Sequence, residues 1–153
     1  MLLKDIGSYI LFLSAIVVGV SLASQAGVNA QFRTALDSPV QAAFLSFLIG
    51  TLVLGAIILI QNDKWFSPAE ALNIPWWAWL GGFFGAFNIV MSIYLAPKVG
   101  AVALAISVVC GQVIASIFYD QQGLLGYPKI EISTNRIIGA VFLIIGVIMV
   151  SKK

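Results

Sequence analysis

Five apolar runs, at roughly 6–29, 40–60, 76–96, 101–119 and 135–151, decide what this chain can fold into. About twenty apolar residues in helical form cross the hydrocarbon of a bilayer. Each run is near that length, although the last is short at its strictly apolar core. The rest of the composition agrees, with 61% apolar residues and 9% charged ones. A soluble domain carries about 25% charged residues, so this chain has too little charge to cover itself with a hydrated surface. Helices are required, because an unclosed strand leaves backbone groups unpaired in lipid. A barrel would alternate in about ten-residue segments, and these runs are continuous. The expected fold is therefore all-α: one polytopic membrane domain over 1–153 with five transmembrane helices.

Several function classes are excluded early. The net charge of +2 is scattered, so nucleic acid is not an expected partner. The single cysteine, Cys110, lies in an apolar run and reads as a small core residue rather than a reactive thiol. The chain has no histidine, the commonest general base and metal ligand. It shows no buried acid pair, no phosphate-binding glycine loop and no nucleophile beside a base, so an enzyme is not expected, nor any cofactor or metal. Lys4 and the first run outline a signal peptide, but that run is longer than a signal core of about 7–15 residues and reads as a retained first span.

The connections are short. Asp37, Ser38 and Pro39 open the second helix with a capping residue and an early proline. Ser67-Pro68-Ala69-Glu70 reads as a capping box on a short interfacial helix over about 68–73. Ile74-Pro75 ends it ahead of Trp76, Trp77 and Trp79, which stand where aromatic side chains anchor a span at the headgroups. Pro97 with Gly100 is expected to form a tight turn between the third and fourth spans.

An odd number of spans puts the termini on opposite sides. One side then carries Lys4, Lys64, Lys129 and Arg136, and the other Arg33, Lys98, Lys152 and Lys153. Orientation normally follows an excess of Lys and Arg in cytoplasmic loops, and here the count is four against four. Either one loop dominates, or the chain inserts both ways round. The second case gives an antiparallel dimer, which reproduces the inverted-repeat plan of secondary transporters without a gene fusion.

No Asp, Glu, Lys or Arg lies deep in a span; Arg33, Asp37, Lys98, Asp120 and Arg136 all sit at ends. That argues against a buried carboxylate as a proton site. The interior polar groups are neutral and aligned: Ser14, Ser21, Gln25 and Asn29 in the first helix; Gly81, Gly85, Asn88 and Ser92 in the third; Gln112, Ser116 and Asp120 in the fourth. Ser14, Ser21, Ser46, Ser107 and Ser116 read first as interhelical glue. Gln25, Asn88 and Gln112 fit glue and the lining of a wet cavity equally well, and they offer both donors and acceptors to a polar or zwitterionic solute. Ser46 and Gly50, the Gly81, Gly82 and Gly85 cluster, and Gly139 with Gly146 mark helix-packing faces. The fifth helix, polar only at its ends, is assigned to the subunit interface.

Gln25-Ala26-Gly27-Val28-Asn29-Ala30, Ser38-Pro39 with Ser46-Phe47 and Gly50, and Trp76-Trp77-Ala78-Trp79-Leu80-Gly81-Gly82 form an ordered set. Pro97-Lys98-Val99-Gly100, Gly111-Gln112, Arg136-Ile137-Ile138-Gly139 and Gly146 continue it. In this order they resemble the small YdcZ-type family of the drug/metabolite transporter (DMT) superfamily, nearly end to end. The resemblance implies five-span half-size units that pair antiparallel into ten helices, as homodimers, heterodimers or fused pairs. It also implies small-molecule transport across a bacterial inner membrane, without naming a solute. Small multidrug exporters of the superfamily place a glutamate inside the first helix; none stands there in this sequence, so their proton exchange does not carry over.

The leading expectation is a small-molecule transporter whose site, between two inverted subunits, uses Ser21, Gln25, Asn29, Asn88, Ser92 and Gln112. The alternatives are a passive channel for a small ion or neutral solute, and a non-transporting subunit of a heterodimeric transporter. Saturating flux separates a carrier from a channel, and co-purification of an unlike chain identifies a heterodimer.

Overall fold

A computed structural model describes residues 2–151, with side chains described from residue 9 onward except at 12 and 151. Lys152 and Lys153, counted in the charge tally, lie outside the described residues, as does the side chain of Lys4. The elements are α1 (Leu2–Leu36), α2 (Pro39–Gln61), α3 (Pro68–Leu72), α4 (Leu80–Val99), α5 (Ala101–Gln122) and α6 (Thr134–Ser151). Short 3-10 turns occupy Trp76–Trp79 and Leu124–Gly126, and no strand occurs among the described residues.

Four helices are long and apolar enough to cross a membrane: Tyr9–Leu36, Pro39–Gln61, Trp76–Val99 and Ala101–Gln122. The fifth apolar helix, Thr134–Val150, is shorter. The chain divides into two compact units, residues 1–97 and 98–153.

In the first unit, α1 continues past the expected end at 29 to Leu36. Hydropathy falls at Gln31, Arg33 and Thr34, but nothing in this stretch breaks a helix, and Phe32 supplies an apolar contact. The helix stops at Asp37, whose φ of 50° takes the left-handed conformation. Ser38 then caps α2 by accepting from the Gln41 amide at 3.3 Å, with Pro39 in the first turn where its missing N–H costs nothing. The short helix α3 also starts as expected. Ser67 Oγ accepts from the Glu70 amide, and the Ser67 amide donates to Glu70 Oε2 at 2.6 Å.

Pro97 departs from expectation. It lies inside the last turn of α4, which ends at Val99, and Gly100 follows at a φ of 85°, a conformation that favours glycine. A proline this close to a helix end removes one main-chain bond rather than breaking the helix. The core of the unit forms nearby, where Ala42 and Ala43 of α2 meet Ile93 of α4, flanked by Phe32, Ile89 and Val90. The helices that pack side by side in this unit are α1 and α2.

In the second unit α5 and α6 pack side by side. Their connection folds on itself: Gly123 caps α5 at φ 64°, and the Ile130 amide donates to the Asp120 carbonyl at 2.8 Å. The side chain of Arg136 donates to Asp120 Oδ2 at 2.8 Å and fastens the end of α5 to the start of α6.

Candidate functional site

The polar side chains of α1 recur at four-residue steps and so share one face. Ser21 and Gln25 on this face are exposed, whereas Asn29, where α1 joins the core, is only 3% exposed. Ser14 Oγ donates to the Ile10 carbonyl at 2.9 Å, and Ser24 and Thr34 bond back in the same way to Val20 and Ala30. The Ser14 proton is therefore spent within its own helix rather than as glue between helices, a pairing any mid-helix hydroxyl has within reach.

On α4, Asn88 is exposed and Ser92 half-buried, and Ser92 Oγ donates to Asn88 Oδ1 at 3.3 Å. This is the one bond between two expected site residues among the described hydrogen bonds. Gln112 on α5 is exposed, as is Ser116, while Asp120 is half-buried and paired with Arg136. A groove between α5 and α6 is lined by Val113, Ser116, Ile117, Asp120, Arg136 and Gly139, with the ion pair among its walls.

The small residues divide by surroundings. A Cβ at Gly85 would stand 3.2 Å from Cζ of Phe47, so this glycine admits a ring from α2. Ser46 and Gly50 are half-buried, and a Cβ at Gly50, Gly81, Gly82, Gly139 or Gly146 would meet nothing within 4 Å. Trp76, Trp77 and Trp79 are exposed just before α4. Among the described residues no group of three His, Cys, Asp or Glu side chains is placed to hold a metal.

One contact was not legible in the sequence. Arg33 reaches from the last turn of α1 and donates from its guanidinium to the main-chain carbonyl of Ile93 at 3.3 Å. That carbonyl stands four residues before Pro97, so it lacks the intrahelical donor that any other residue would provide. The guanidinium also lies over the Tyr94 ring, 6.0 Å from its centre. A proline near a helix end was the available signal; which side chain would serve the freed carbonyl depended on tertiary packing.

The profile of the family described as "Putative inner membrane exporter, YdcZ" matches residues 10–149. The chain belongs to this family. As a member of the YdcZ family it is a multi-pass inner-membrane protein, and the family description supports a role in membrane transport. No curated protein and no solved structure matches it. The YdcZ match runs from within α1 into the last turn of α6, so it takes in every polar stripe described above.

Proposed function

We propose that the chain carries a small polar or zwitterionic solute across the inner membrane as an antiparallel pair of oppositely inserted subunits. One observation carries this reading. The long helices bury no more than 6% of their apolar windows within the chain, yet they present Gln25, Asn88 and Gln112 on exposed surface. An amide facing hydrocarbon without a partner costs roughly 2–7 kcal/mol, so these faces turn toward protein or water. A second, inverted copy supplies both, with Ser21, Gln25, Asn29, Asn88, Ser92 and Gln112 lining the cleft.

In this arrangement α6 is the fifth span. Its 18 residues rise about 27 Å, close to the roughly 30 Å of hydrocarbon, and Arg136 at its start reaches the interface. Alternating access is a rocking of one subunit against the other. Between 6 and 29 there is no carboxylate to carry a coupling proton, so the solute's own gradient suffices to drive movement.

Cys110 is the one cysteine, and replacing it with serine gives a background for single cysteines placed in each connection. Labelling of intact cells by an impermeant thiol reagent is expected at every connection in about half of the molecules. Protection of alternate connections in all molecules rejects the inverted pair. In liposomes, saturable flux of candidate metabolites should fall in Gln25→Ala and Gln112→Ala; flux indifferent to both rejects the site.

A further inference from the structure

We propose that the groove between α5 and α6 binds a zwitterionic amphiphile, a molecule with a primary ammonium and an oxyanion at one end of an apolar chain. The groove holds about 320 Å3, at the small end of the roughly 300–1,000 Å3 of ligand pockets. Its polarity is graded. Asp120, in the last turn of the α5 span, and Arg136, in the first turn of α6, form its charged end. Val113, Ile117, Ala140 and Leu143 give it apolar walls. From Asp120 to Val113 is seven residues of helix, a rise of roughly 10 Å. The charges therefore lie toward the membrane surface and the apolar walls toward its middle, the polarity of a lipid with its head outward.

The ion pair defines the head. One hydrogen bond of 2.8 Å, from Arg136 Nη1 to Asp120 Oδ2, joins the two among the described residues, and both side chains are only half-buried. The second carboxylate oxygen can accept from an ammonium, and the remaining guanidinium N–H groups can donate to an oxyanion. A ligand with both groups closes a ring of alternating charges, each beside two of opposite sign. A bare anion would stand against Asp120 and a bare cation against Arg136, so the pair selects a zwitterion. Ser116, exposed one turn along α5, adds a neutral donor and acceptor. A Cβ at Gly139 would meet nothing within 4 Å, so this glycine keeps the groove clear. The groove stops at Leu143, one turn short of Gly146, and leaves that part of α6 to a second copy.

Two sources supply this chemistry: a phospholipid with an ethanolamine head, or a solute such as an apolar amino acid. The lipid needs only membrane residence, whereas the solute rests on the transport reading. Neither arm of the test measures flux, so failure of the site and failure of transport are told apart. In the first arm the full chain in detergent is equilibrated with equal amounts of phosphatidylethanolamine, phosphatidylcholine and phosphatidylglycerol, and native mass spectrometry reads which stay bound. In the second, labelled leucine is dialysed against the chain in phosphatidylcholine nanodiscs.

Phosphatidylethanolamine should be retained about tenfold over phosphatidylcholine, whose quaternary ammonium has no N–H for Asp120, and likewise over phosphatidylglycerol, which has no cation. Asp120→Asn should erase the first preference and raise phosphatidylglycerol, because Arg136 then meets an anion with no carboxylate beside it. Gly139→Leu keeps the ion pair but fills the groove, and should lower retention several-fold. Saturable leucine binding that is lost in Asp120→Asn identifies the solute as the source instead. Equal retention of the three lipids together with no saturable leucine binding overturns the proposal. A preference for phosphatidylethanolamine that survives Asp120→Asn belongs to general lipid packing and also overturns it. If the asparagine variant does not fold, Gly139→Leu decides, and undiminished binding there overturns the site.

Discussion

The guanidinium of Arg136 meets the carboxylate of Asp120 at 2.8 Å across a connection that reverses the chain between α5 and α6. The pair is half-buried, with side-chain exposures of 37% and 21%, between the weak surface bridge and the costly buried one. Arg136→Gln should lower stability by about 1 kcal/mol, and Asp120→Asn by a similar amount. Combined, the two changes should cost less than their sum, since either one alone already breaks the bond. Unfolding titrations of all four chains in mixed micelles measure the difference. Strict additivity would mean that the pair contributes nothing.

Phe47 and Gly85 give a test of packing within the first unit. A methyl at Gly85 would sit 3.2 Å from the ring's far edge, so a small shift of the ring accommodates alanine. Helix propensity favours alanine over glycine by about 1 kcal/mol, and Gly85→Ala should come out near neutral. Gly85→Leu overfills the contact and should cost about 1–3 kcal/mol. Phe47→Ala in the same chain should recover part of that loss, as measured by the same titrations.

The signals that the sequence carried accurately were local. Ser38 with Pro39, and Ser67 with Glu70, mark helix starts because the capping bonds join residues three apart, so spacing alone specifies them. Helix ends were less legible. The apolar run of α1 stops at Asn29, but helical bonding needs only residues that tolerate it, and Phe32 reaching the Ala42–Ile93 core holds the last turns in place. Pro97 reads as a turn because proline commonly ends helices, whereas the carbonyl it leaves free at Ile93 is served by Arg33, 60 residues before Ile93. Of the expected site, the α1 and α4 stripes could be read from periodicity alone. The burial of Asn29 beside exposed Gln25 could not, because it depends on where α1 ceases to stand alone.

The capping box of α3 predicts a response to acid. The Ser67 amide and hydroxyl hold the Glu70 carboxyl below its ordinary range, the backbone bond being the larger cause. A group whose folded pKa is depressed contributes stability that is present above the unfolded value, about 4.3, and lost as pH falls through the folded value. Protection of the α3 amides, their exchange relative to the intrinsic rate at each pH, should therefore be flat from neutral pH down to about 4.5 and then fall. Ser67→Ala should exchange several-fold faster at neutral pH through loss of the cap, with a smaller acid step. Exchange at the Glu70 and Ala71 amides, whose bonds to Ser67 measure 3.3 Å and 3.0 Å, reads both effects. An acid step of the same size in Ser67→Ala would separate it from the box.

The glycine face of α6 links the single chain to its proposed pair. Gly139 and Gly146 are seven residues apart and so lie on one face of the helix, and a Cβ at Gly146 would meet no atom of the chain within 4 Å. Gly146→Leu should thus leave the stability of one copy unchanged or slightly raised by helix propensity. A glycine face against an inverted neighbour permits close backbone approach, and leucine there should cost the pair about 1–3 kcal/mol by overpacking, weakening association at least about fivefold. Energy transfer between donor- and acceptor-labelled chains, followed as protein is diluted into lipid, measures that association directly. Gly55→Leu is the matched control, because it too has open space around its Cβ but belongs to α2, outside the assigned interface. Equal effects of the two leucines on dissociation would remove α6 from the interface, whereas loss with Gly146→Leu alone would place the second copy against this face.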